Sequence, residues 1–140
     1  MDRTAEARWA GDLKSGSGSI KVGSGAFEGP YSFLSRFEGG GGTNPEELIG
    51  AAHAGCFTMA LSHSLASAGH TVTNVTTNAT VTLGKTDKGF AITGIHLATR
   101  GKVGGVSATE FQRMAEETKA NCIVSRALAA VPMTLDAQLV

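Results

Sequence analysis

The chain has 140 residues, with 12 Lys and Arg balanced by 12 Asp and Glu, for a formal net charge of zero. That length fits one domain spanning 1–140, able to bury roughly two-thirds of its unfolded surface without help from a metal or disulfide. Balanced, scattered charge with no basic stripe among aromatics argues against nucleic acid or a membrane surface as partner.

The opening "MDRTAEARWAGDLK" has no apolar signal region, and the longest nearly apolar run, Leu48 to Leu61, contains His53 and is too short for a bilayer. The expectation is a soluble, cytoplasmic protein. Its two cysteines, Cys56 and Cys122, are then either inert core residues or a redox pair.

In chain order, "AEARWAG" and "SIKVG" read as two short strands, with "KSGSGS" between them as a hairpin turn. "EGPYSFLSRF" reads as a third extended piece, and "GGGG" at 39–42 as a mobile connection. Neither glycine cluster has the spacing of a phosphate cradle.

A long helix is predicted from Asn44 to about Ser67, ended by Gly69. Asn44 suits the N-cap, Pro45 the first helical position, and Glu47 the far side of a capping box. Ile49, Ala52, Cys56, Met59, Ala60 and His63 line one side. Leu48, Ala51, Leu61 and Leu65 extend the apolar surface almost all the way round, as in a buried central helix.

Alternation in "TVTNVTTNATVTL", a turn at "GKTDKG" and the run "FAITGIHLATR" predict a hairpin. A helix follows in "SATEFQRMAEETKAN", capped by Ser107 with Glu110 three residues on. "CIVSRALAAV" reads as a short helix and "MTLDAQLV" as a closing strand. The class is α+β.

Seven side chains are weighed for chemistry. Cys56 sits mid-helix among small neighbours, and taken alone reads best as a core thiol. Cys122 lies where one helix ends and another begins, and a helix N-terminus favours a thiolate. The two thiols would serve as attacking and resolving groups if the fold brings them together. Glu47 has a sufficient structural task in the cap, whereas Glu46 has only a favourable charge in the first turn. Glu46 and Cys56 are ten residues apart on one helix, about 15 Å of rise, so they can share a site only if one comes from a second copy of the chain. Arg36 precedes the glycine run and is the natural cation for holding a thiolate and a carboxylate. His53 shares a helix face with Cys56, but His63 lies about 10 Å further along, too far for an ordinary zinc site on one straight helix. No metal is expected, and His53 reads as a polar member of a packed interface.

The segments "RFEGGGGTNPEELIGAAHAGCFTMALS", "GFAIT" and "ANCIVSRALAAVPMTLDAQL" together resemble the OsmC branch of the OsmC/Ohr hydroperoxide reductases. The likeness runs from "ARWAGDLKSGSG" to "LDAQL". It implies an intertwined α+β homodimer, with antiparallel sheets around two long central helices and sites at the subunit interface. It further implies a peroxidase without metal or cofactor, reducing organic hydroperoxides and, less well, hydrogen peroxide. The family's catalytic residues match Cys56, Cys122, Arg36 and Glu46. On this reading Cys56, held as a thiolate by Arg36 and Glu46, attacks the peroxide and becomes a sulfenic acid. Cys122 closes a disulfide, and an external dithiol, a lipoylated or thioredoxin-like protein, reopens it. Phe57, Met59 and Phe33 are expected to favour organic substrates.

One departure stands out: where the family usually carries proline after the second cysteine, this chain has Ile123. The rival reading is a non-catalytic dimeric protein holding an apolar ligand. A thiol hydrolase is weaker, since no His/Asp partner for Cys56 is apparent.

Overall fold

The computed structural model describes all residues, 1–140, as two compact units, Met1–Leu48 and Ile49–Val140. In the first unit, strands β1 (Ala5–Ala10), β2 (Ser17–Val22) and β3 (Glu28–Ser32) form an antiparallel sheet in that order. A turn joins β1 to β2 as expected, but at residues 11–16: Ser17, Gly18 and Ser19 of "KSGSGS" already belong to β2. Burial is thin here: every residue of β1 is exposed, Trp9 included.

The third extended piece stops halfway. Phe33–Phe37 is a short helix, α1, because Ser32 accepts a hydrogen bond from the Ser35 backbone N–H while the Ser35 hydroxyl lies 2.9 Å from the Ser32 N–H. This reciprocal cap turns the chain out of the strand, a local signal stronger than the β propensity of the flanking aromatics.

Helix α2 runs Pro45–Ser67 and continues from the first unit into the second. The Asn44 side chain accepts from the Glu47 N–H at 2.8 Å, as expected. The Glu47 carboxylate, however, accepts from the Thr43 hydroxyl at 2.6 Å rather than reaching back to the cap. Gly69, at φ 86°, ends the helix; its N–H bonds Ala66 and the His70 N–H bonds the Leu65 carbonyl.

The second unit holds the core. Strands β4 (Thr71–Thr86) and β5 (Gly89–Gly104) make a long antiparallel hairpin whose strands run further than expected, leaving only Asp87 and Lys88 in the turn. After α3 (Ala108–Asn121) and α4 (Ile123–Ala127), β6 (Met133–Leu139) joins β5 in parallel. The sheet is therefore mixed rather than antiparallel, because the two-helix crossover returns β6 in the direction of β5. Phe57, Leu61 and Leu65, four residues apart on α2, pack with Ile95, Leu97 and Phe111. Gly50 permits α2 to lie close over β4: a Cβ there would meet the Ala79 carbonyl at 3.4 Å.

The apolar surface of α2 is not buried all round. Ala51, Ala52 and Gly55 are exposed, and Met59, expected to face inward, is 73% exposed. No helix is long and apolar enough to cross a membrane.

Candidate functional site

In the first unit, α1 and the glycine run build a mount for Arg36. The buried Ser35 hydroxyl donates to the Thr43 carbonyl at 2.7 Å, and the Asn44 amide donates to the Ser35 carbonyl. Gly42, at φ 111°, closes this turn where a Cβ would lie 2.7 Å from the Pro30 carbonyl oxygen. Across it, the Arg36 guanidinium meets the Glu46 carboxylate through Nη2 at 2.8 Å and through Nε at 3.2 Å to the same oxygen. Glu46 is 7% exposed, so the first-turn charge is a buried carboxylate satisfied by arginine. Arg36 also lies over the Phe37 ring, 5.2 Å from its centre, and Phe33 packs on Phe37.

In the second unit, the two sulfurs meet. Cys56 Sγ and Cys122 Sγ are 2.9 Å apart, although 66 residues separate them in sequence. Both are free thiols; Cys122 is buried and Cys56 partly exposed. Beside them opens a largely apolar cavity of about 530 Å³, lined by Cys56, Met59, Ala60, Met114, Cys122 and Ile123 among others. Met59 belongs to it, but Phe57 does not: it is fully buried in the core, since adjacent residues on a helix point to different sides.

The two thiols differ in acidity. Burial raises the Cys56 thiol, and the neighbouring Cys122 raises it further; N–H groups of Val124 and Ile123 act in the opposite direction without prevailing. Burial also acts to raise Cys122, but the Cys56 thiol, the N–H and hydroxyl of Ser125 and the Val124 N–H outweigh it and hold that thiol below its usual range. Cys122 is the N-cap of α4, so the N–H groups near its sulfur are the unpaired donors that open that turn, although its side chain makes no capping hydrogen bond.

His53 is fully buried on α2, with Nε2 2.7 Å from the Ser125 hydroxyl. Its role is thus a contact between α2 and α4. No group of three or more His, Cys, Asp or Glu side chains is arranged to hold a metal ion. Ser125 was not among the residues the sequence points to; the available signal was its position three residues after Cys122 at a helix start.

An α+β chain with a close pair of free thiols beside an apolar cavity defines a thiol-bearing class of protein, and comparison with known proteins places it further. Residues 38–136 match the family model for OsmC-like proteins. The chain is 50% identical to proteins called peroxiredoxin OsmC in Escherichia coli K12 and Shigella flexneri, over 99% of its own length and 97% of theirs. Among solved structures it is similar to the organic hydroperoxide resistance protein OhrB of Bacillus subtilis, with a TM-score of 0.75 and 25% identity over 96% of this chain and 98% of that one. An OsmC-like protein of unknown function from Vibrio cholerae shares the fold, with a TM-score of 0.78 at 18% identity over 98% and 99% of the two chains. The chain belongs to the OsmC-like family.

Proposed function

We propose that this protein is a thiol-dependent peroxidase that reduces organic hydroperoxides and, less efficiently, hydrogen peroxide. The observation that carries the reading is the 2.9 Å approach of the Cys56 and Cys122 sulfurs beside an apolar cavity. Cys56, the more accessible thiol, attacks the distal peroxide oxygen; the O–O bond breaks, an alcohol leaves, and Cys56 becomes a sulfenic acid. Cys122 displaces hydroxide from that sulfur to form the disulfide, and an external dithiol restores both thiols. The peroxidase relatives and the hydroperoxide-resistance neighbours support the same chemistry.

Cys56 needs a cation to become a thiolate, because its immediate surroundings push its acidity the wrong way. Arg36, oriented by Glu46, supplies it in this reading, and the length of α2 between Glu46 and Cys56 requires the pair to come from a second copy. The exposed face of α2 around Ala52, Gly55 and Met59 supports a homodimer with two central helices, since so apolar a helix buries only one stripe within its own chain. One OsmC-like domain over 1–140, with both units completed by those of the partner, belongs to this reading, as does a cytoplasmic setting.

Turnover of cumene hydroperoxide with a dithiol tests the proposal. Cys56→Ser is expected to lower it on the order of a thousandfold or more, as loss of a nucleophile generally does. Full turnover in Cys56→Ser would refute it. After one equivalent of peroxide, mass spectrometry should find the Cys56–Cys122 disulfide. The cavity also favours a second reading, a non-catalytic protein that holds an apolar ligand; tight ligand binding with no thiol oxidation would select it.

A further inference from the structure

The expected site leaves one buried arrangement unused. His53 is fully buried, Ser125 is 4% exposed and Cys122 is 3% exposed, so water does not serve these groups. His53 Nε2 lies 2.7 Å from Ser125 Oγ, and Ser125 stands in the first turn of α4, whose N-cap is Cys122, where its hydroxyl acts to lower the Cys122 thiol. The other ring nitrogen, Nδ1, is buried without any partner.

That orphan nitrogen decides the direction of the chain. Burial lowers the proton affinity of His53, so the ring is neutral and carries one proton. An N–H on Nδ1 would be a buried donor with no acceptor, a costly and rare arrangement; a bare lone pair costs less. The ring proton therefore sits on Nε2 and is donated to Ser125 Oγ. With its oxygen engaged as acceptor, the Ser125 hydroxyl is free to donate its own proton to sulfur.

We propose that His53 is a positioning residue which, through Ser125, aims a hydroxyl proton at the Cys122 sulfur and thereby stabilises Cys122 as the leaving thiolate when the Cys56–Cys122 disulfide is reduced. The inference rests on the peroxidase reading for that step. Burial assigns the roles of the two sulfurs. A dithiol reductant, as its thiolate, attacks the more accessible Cys56 Sγ; a new S–S bond joins reductant to Cys56, the Cys56–Cys122 bond breaks, and its electron pair leaves on Cys122 Sγ. The second reductant sulfur, deprotonated, then displaces Cys56, leaving an oxidised reductant and two reduced cysteines whose protons come from the dithiol. The first departure creates charge on a sulfur that water does not reach, which is where a fixed donor has most effect. The same donor assists Cys122 when it attacks the Cys56 sulfenic acid.

Two measurements on full-length protein test this. In the first, preformed Cys56–Cys122 disulfide is reduced by dithiothreitol under excess reductant. Ser125→Ala and His53→Leu should each slow it on the order of tenfold, the scale of a hydrogen bond to a charged group. His53→Gln, whose amide N–H reaches as far as Nε2, should recover most of the rate. The single-turnover oxidation of Cys56 by cumene hydroperoxide should be unchanged in all three. In the second, thiolate absorbance near 240 nm is titrated in a Cys56→Ser background; adding Ser125→Ala should move the Cys122 titration to higher pH. This readout needs no peroxidase activity, so it fails or succeeds independently of the proposed function. Unchanged reduction rate and unchanged titration in Ser125→Ala, a small substitution that a helix tolerates, would overturn the proposal. Equal slowing by His53→Gln and His53→Leu would reduce His53 to a packing residue and overturn its part.

Discussion

The Arg36–Glu46 pair and the Cys56–Cys122 pair are opposite kinds of arrangement. The first is a finished electrostatic device with no reactive atom: a buried carboxylate, an arginine held in place, and a glycine-shaped turn behind them. The second is a reactive pair without charge compensation, in which the leading influences on Cys56 raise its proton affinity and none is a cation. Each region holds what the other lacks. The difference teaches that the two pairs lie on separate stretches of chain, one supplying charge and the other reactive sulfur, and under the proposed function assembly of two copies would be what brings them together.

The sharpest way to break that comparison is complementation. Arg36→Ala should slow Cys56 oxidation on the order of a hundredfold, in line with loss of a preorganised charge at a developing anion. Mixing Arg36→Ala chains with Cys56→Ser chains and allowing exchange should restore about a quarter of wild-type turnover, because half of the dimers are mixed and each rebuilds one site. No recovery would place both pairs' work within one chain and remove the argument for a shared site.

A smaller effect sharpens the thiol side. Burial lowers the proton affinity of His53 in the folded state. Below about pH 6.5 the unfolded chain takes up a proton on this residue that the folded chain refuses, so the stability that comes from keeping the ring neutral is present above that pH and lost as pH falls. Urea midpoints at pH 7.5 and 5.5 should therefore differ more for the wild-type protein than for His53→Gln. Equal differences would show that the histidine does not titrate with folding.

The smallest effect concerns Ile123, the first residue of α4, which is 76% exposed. Cys122, at φ −53° and ψ 132°, already has the conformation favoured before proline, and the first helical position accepts it. Ile123→Pro should raise stability by about 0.5 kcal/mol by restricting the unfolded chain. It also removes an N–H that acts on the Cys56 sulfur, so oxidation of Cys56 should slow by a few fold. Faster oxidation in stopped-flow measurement would show that this N–H holds the thiol back.

Much was legible in the sequence because the signals were local. Asn44, Pro45 and Gly69 bracket α2, Ser107 opens α3, and alternation marks β4 and β5. The misreading at Phe33–Phe37 arose where aromatic residues suggested a strand and a Ser32–Ser35 cap made a helix. Met59 lines the cavity beside the thiols as expected, whereas Phe57, expected there too, is buried in the core, because apolar periodicity identifies a face but not what lies against it.

The amino-acid sequence by itself determined the α+β class, the two thiols, the arginine and the carboxylate, since residue type and short-range spacing carry that information. Only tertiary structure decided which of these meet. A crossover through α3 and α4 brings Cys122 to Cys56, a capped turn brings Arg36 to Glu46, and α4 carries Ser125 to His53 across 72 residues of sequence. Contacts of that range depend on how helices and strands pack, and close packing is a property of the whole chain rather than of any segment.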